Sequence, residues 1–202
     1  MKSDSIAFGV AGMLFGLLAG WMIGTQQARL NPVVGTPAAA TQPATPAASS
    51  TAAILDQTQV TAFKTVAERE PSNPTPRVQL GNLYFDAEHF DEAAKWYIEG
   101  LELAPNDADV STDLGVCYYV LNQPDKALEQ FNTSLKINPK HVKTFLNIGI
   151  VRAFGKQDLE GAQTAWQQVV QLAPDTPEAQ QAKRYLDGVR SAHPGMAPPT
   201  GS

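Results

Sequence analysis

The hydrophobic pattern of the chain changes character twice along its 202 residues. Ile6 to Gly24 (IAFGVAGMLFGLLAGWMIG) runs for 19 positions without a charge, and at the helical rise per residue that matches about 30 Å of hydrocarbon. The run predicts one membrane-crossing helix. It is long for a signal peptide and lacks a small-x-small cleavage site behind it, so the helix is expected to stay attached. Lys2 precedes it and Arg29 follows, which directs the amino terminus inside and the rest of the chain outside the cytoplasm, as a single-pass inner-membrane protein. Gly12, Gly16, Gly20 and Gly24 recur at every fourth position, a stripe on one helix face that admits a second membrane helix, its own copy or a partner's. Asn31 to Ala52 then mixes Pro with Ala, Ser and Thr and carries no charge. Such a stretch buries too little apolar surface to fold and reads as a tether. The predicted organisation is an anchor with flanks over 1–30, a linker over 31–53, a folded domain over 54–190 and a Pro-rich tail over 191–202.

Within the folded stretch a longer period takes over. Pro71, Pro105 and Pro139 are spaced by 34, Pro174 follows by 35, and Gly81, Gly115 and Gly149 are again spaced by 34. Leu80, Leu114 and Ile148 precede those glycines, and Tyr84 and Tyr118 follow them. Ala93, Ala127 and, after one inserted residue, Ala162 hold a later phase, as do Tyr97, Phe131 and Trp166, then Leu101, Leu135 and Val170. Two apolar-periodic stretches per period, each closed by a breaker, predict a helix pair. The small Gly of the first helix and the Ala of the second let the backbones approach, with the aromatics filling the space between pairs. Ile54 to Glu70 carries Phe63, Val66 and Pro71 in the phase of a second repeat helix and is expected to be a half repeat. Thr176 and Pro177 start a last helix to Arg190, where Lys183 and Arg184 replace the apolar residue and Gly, so this helix is expected to cap the stack with a polar outer side.

Composition narrows the function classes. The charges, 15 Lys plus Arg against 20 Asp plus Glu for a net of −5, form no basic face, which argues against a binder of nucleic-acid phosphates. A single Cys117 forms no internal disulfide and, without nearby ligands, no metal site. It follows Gly115 on a packed helix and reads as a small core side chain. His89, His141 and His193 fall at turns or in the tail, and neither metal spacing nor a Ser-His-Asp set emerges. Asp91 and Glu92 open a helix, where they favour its positive end. No cofactor and no enzymatic activity are expected.

The repeated Leu-Gly, Tyr, Ala, Phe and Pro positions at a 34-residue period resemble the tetratricopeptide repeat (TPR), over about 74 to 176 as three repeats. The departures are Arg77 and Ser111 at the early bulky position, Arg152 at the Tyr, and the residue inserted between Gly155 and Ala162. The resemblance implies an all-α, right-handed solenoid of a half repeat, three repeats and a capping helix. It further implies that first helices line a concave groove for peptides, which places Val78, Asn82, Phe85 and Asp86, then Thr112, Val116, Tyr119 and Val120, then Lys143, Leu146, Ile150 and Phe154 there. Some relatives clamp a terminal carboxylate with Lys and Asn; Asn82 and Lys143 match that pattern, whereas Val78 and Asp113 stand where a cation and an amide belong. With the anchor, the chain is similar to bacterial envelope TPR proteins, including those of c-type cytochrome maturation. That similarity implies a membrane-anchored scaffold that binds a partner protein or peptide. A structural assembly factor, recruited through the glycine stripe with nothing bound in the groove, is the alternative.

Overall fold

The computed structural model describes residues 54–193, all within the second of the two units into which the chain divides, Ala53–Ser202. The run Ile6–Gly24, its four glycines and the linker lie outside the described residues. Among the described residues every regular element is helical: α1 Gln57–Arg69, α2 Thr75–Asp86, α3 Phe90–Leu103, α4 Ala108–Val120, α5 Pro124–Ile137, α6 Val142–Ile150 with a π-helical continuation Val151–Gly155, α7 Leu159–Leu172 and α8 Pro177–Ala192. Consecutive helices pack on one another along the series. Local chemistry sets the starts. Asp56, Asp107, Asp158 and Thr176 accept hydrogen bonds from the first free N–H groups of α1, α4, α7 and α8, and Pro occupies the first turn of α2, α5 and α8, where it gives up no helical hydrogen bond.

Each pair is closed by a glycine against a ring. Tyr97, Phe131 and Trp166, all fully buried, lie across Gly81, Gly115 and Gly149. A Cβ on Gly115 would come within 2.6 Å of Phe131 Cδ1, and one on Gly149 within 2.6 Å of Trp166 Cε2. No side chain fits between these helices, so the 34-residue rhythm of Gly and aromatic is a packing requirement.

Between the second and third pairs the junction is polar. Thr112 of α4, Ser134 of α5 and Thr144 of α6 are wholly buried and share their hydroxyls, Thr112 to Thr144 at 2.6 Å and to Ser134 at 2.9 Å. The hydroxyls of Thr112 and Ser134 also reach the Ala108 carbonyl, at 2.7 and 2.9 Å. His141 closes the group, its Nδ1 2.6 Å from Thr144 Oγ1 and its Nε2 3.1 Å from Asp109 Oδ1. Every buried hydroxyl therefore has a partner, as burial demands.

The inserted residue of the third repeat does not disturb the turn where the sequence places it. It is absorbed earlier, in the π-helical turn Val151–Gly155, with Lys156 N–H bonded to the Val151 carbonyl at 3.0 Å. The tight turns inside the three pairs are alike, each with one non-glycine residue in the left-handed region: Glu88 (φ 60), Asn122 (φ 59) and Gln157 (φ 57). Asn tolerates this conformation, whereas Glu and Gln are strained there by about 1 kcal/mol. Replacing Glu88 or Gln157 by Gly is therefore expected to stabilise the domain by about 0.5 kcal/mol after the entropy cost of Gly, and Asn122→Gly by less. Urea unfolding followed by circular dichroism checks the order.

Candidate functional site: the face of the first helices

The first helices α2, α4 and α6 carry the residues that the sequence assigns to a groove, and the structure divides them into two groups. Val78, Asn82, Val116, Tyr119 and Lys143 are half-buried and Phe154 is 39% exposed, whereas Phe85 (5%), Leu146 (5%) and Ile150 (3%) are closed off and Thr112 is wholly buried. Of the large apolar side chains assigned to the groove, Phe85, Leu146 and Ile150 are therefore part of the packing and not of an open lining. Phe85 packs edge-on against Phe90, ring centroids 5.3 Å apart, and joins the core of Ala93, Tyr97 and Leu114. Thr112 belongs to the polar junction.

The part that stays open has a defined composition. Asn82 accepts the Tyr97 hydroxyl at 2.9 Å. Val116 touches both core clusters, and Tyr119 reaches across from α4 to lie beside Gly155 of the π-helical turn. Phe154 leans on Trp166 and on Tyr185 of α8, at centroid distances of 6.5 and 6.1 Å, while Tyr185 stacks on Trp166 at 4.8 Å. The last helix thus covers one flank of the third pair and leaves an edge of Phe154 free. Lys143 Nζ sits 2.6 Å from Asp113 Oδ1. Burial pushes the Asp113 carboxyl above the ordinary carboxylate range, against the opposing pull of Lys143. Burial does the same to Asp86, and it pushes the Cys117 thiol and the Tyr97 hydroxyl up, so both stay protonated at neutral pH. Cys117 has no exposed surface.

Sequence reasoning missed the line Thr144, His141, Asp109, because Asp109 and His141 are 32 positions apart. Hydroxyl, imidazole and carboxylate stand in the order of a nucleophile relay. Thr144 is wholly buried, however, and shares its hydroxyl with Thr112 and Ser134, so the line holds helices together. Among the described residues no group of three metal-ligating side chains converges.

Glycine-against-ring helix pairs in a 34-residue register, each packed through its second helix on the first helix of the next, define a TPR-like helical-repeat scaffold. More particularly, the chain belongs to the family described as the Cilia and flagella-associated protein 70 middle TPR-like domain, which matches residues 79–193. RNA polymerase II-associated protein 3 of Rattus norvegicus is 29% identical over 109 residues, covering 54% of this chain and 16% of the relative. The chain therefore spans about a sixth of that protein's length. The first TPR of Spaghetti (RPAP3), solved with the HSP90 peptide SRMEEVD, superposes with a TM-score of 0.56 at 24% identity, covering 61% of this chain and 97% of that one. The second TPR domain of human RPAP3, in complex with the HSP70 peptide SGPTIEEVD, gives 0.51 at 18%, covering 58% and 98%. At these identities the two structures establish a shared fold.

These relatives correct the expected localisation. The chain is similar to RNA polymerase II-associated protein 3 of an animal, and among the described residues no helix is long and apolar enough to cross a membrane. The assignment as an inner-membrane protein with an extracytoplasmic solenoid is withdrawn. These relatives lend no support to a cytochrome pathway, and oligomerisation through Gly12, Gly16, Gly20 and Gly24 concerns residues outside those described.

Proposed function

We propose that this chain is a non-catalytic scaffold that holds a short segment of a partner protein against its first helices. The observation that carries this reading is the open strip on α4 and α6, where Val116 and Tyr119 are half-exposed next to the partly free ring of Phe154. Packing has already consumed the neighbouring Phe85, Leu146 and Ile150, so the strip is what the fold leaves over, and covering it removes apolar surface from water at about 25 cal/mol per Å². Val78, Asn82 and Lys143 flank it with one further apolar and two polar contacts. The RPAP3 repeat domains of the same fold, solved with HSP90 and HSP70 peptides, support this reading. Selection of short random peptides on the full chain supplies a ligand for the test. Tyr119→Ala and Phe154→Ala are each expected to weaken it by about 1 to 3 kcal/mol in fluorescence anisotropy, with helical content unchanged. Full affinity in both variants contradicts the assignment.

A further inference from the structure

The charges on this face select the kind of segment it takes, an inference that rests on the groove reading above. Three cations stand on the first helices and their π-helical continuation, and each has a carboxylate partner, although Arg152 Nε is buried without a hydrogen-bond partner. Arg77 Nε lies 3.4 Å from Glu99 and its Nη1 donates to the Asn73 carbonyl, Arg152 Nη1 lies 3.1 Å from Asp158, and Lys143 is held by Asp113 at 2.6 Å. The carboxylates are not balanced in the same way. Asp86, at the end of α2, has no ion-pair partner among the described residues, and burial alone perturbs it. Tyr97, whose hydroxyl marks the α2 side of the face through Asn82, lies within electrostatic reach of both Asp86 and Asp113. Among the described residues the face thus pairs each of its cations with a carboxylate and leaves Asp86 without a cation, in a chain whose net charge is −5.

We propose that Asp113, by holding Lys143 across the α4–α6 junction, sets the specificity of the groove: it excludes segments ending in acidic residues and admits a segment that lays a lysine or arginine toward Asp86 and Asp113 beside the Val116, Tyr119 and Phe154 strip. An acidic tail has to displace Asp113 from Lys143, which leaves the half-buried carboxylate unpaired and sets like charges together. A cationic side chain needs no such exchange, because it adds to the existing pair and neutralises Asp86.

The test compares the pool of random peptides selected on the full chain with the labelled acidic peptide SRMEEVD. Selected peptides are expected to be enriched in Lys and Arg and to bind at least about 10-fold more tightly than SRMEEVD at low salt, with the advantage shrinking as salt rises. Asp113→Asn keeps the side-chain volume and releases Lys143, so it is expected to raise SRMEEVD affinity about 10-fold and to weaken the cationic peptides. Should that variant fold poorly, Asp86→Asn on the open end of α2 is expected to weaken the cationic peptides by about 5-fold alone. Acid-tailed peptides dominating the selection, displaced by Phe154→Ala and indifferent to Asp113→Asn, overturn the specificity while leaving the groove standing. Selected peptides that ignore Tyr119→Ala and Phe154→Ala overturn the groove itself, and the specificity with it.

Discussion

Gly149→Ala is expected to destabilise the domain by about 2 to 3 kcal/mol, although alanine is the better helix former by about 1 kcal/mol. The Cβ would sit 2.6 Å from Trp166 Cε2, inside van der Waals contact. The ring cannot retreat, because Trp166 is wholly buried, stacked under Tyr185, and donates from Nε1 to the Leu146 carbonyl at 3.2 Å. Either α6 and α7 move apart or the indole loses its hydrogen bond. Gly188 of α8 is the internal control: nothing lies within 4 Å of its Cβ position, so Gly188→Ala is expected to stabilise by about 0.5 to 1 kcal/mol through propensity alone. Thermal and urea unfolding of the two variants should move in opposite directions. Equal shifts would mean that the glycines do not close the pairs.

The second large effect is expected from removing α8. Truncation before Thr176 takes away Tyr185, which stacks on Trp166 and shields one flank of Phe154, and it deletes the packing made by the wholly buried Ala179 and Ala182. The end of a repeat stack left with exposed aromatic surface is both unstable and adhesive. A loss of several kcal/mol is expected, with Tm lowered by at least about 10 °C and association visible in light scattering. Tyr185→Ala gives a graded version of the same effect, at about 2 kcal/mol, because the ring is only partly buried. A truncated protein that stays monomeric and melts at the same temperature would show that α8 does not cap the stack.

The repeat was legible because its physical cause is local and recurs: Gly81, Gly115 and Gly149 must face Tyr97, Phe131 and Trp166, so residue types and spacing together specify each helix pair. The groove was less legible. A first-helix position says which way a side chain leaves the backbone, but whether it meets solvent depends on what the neighbouring pair brings. Phe85 is covered by Val110, Leu114 and Cys117 of the next pair, whereas Phe154 keeps a free edge because the cap contacts it from one flank only. Thr112 misled for a related reason. Its hydroxyl finds Ser134 and Thr144 on two other helices, a convergence that period and phase do not display. The extra residue near Gly155 was visible in the spacing, yet its placement in a π-helical turn was not, since an insertion is absorbed wherever the hydrogen-bond ladder widens at least cost. The localisation was corrected on different ground. It rested on an uncharged run outside the described residues, and the relatives of the repeat domain correct the localisation inferred from it.

The reading of this chain as a peptide scaffold stands or falls on where a ligand sits. A photo-crosslinking residue placed at position 154 of the first-helix face, and separately at Ile98, an exposed apolar position on the second helix α3, probes both sides with a peptide selected on the full chain. Efficient crosslinking is expected from position 154, competed by unlabelled peptide, and none from position 98. Crosslinking from position 98 with silence at 154 would contradict that reading.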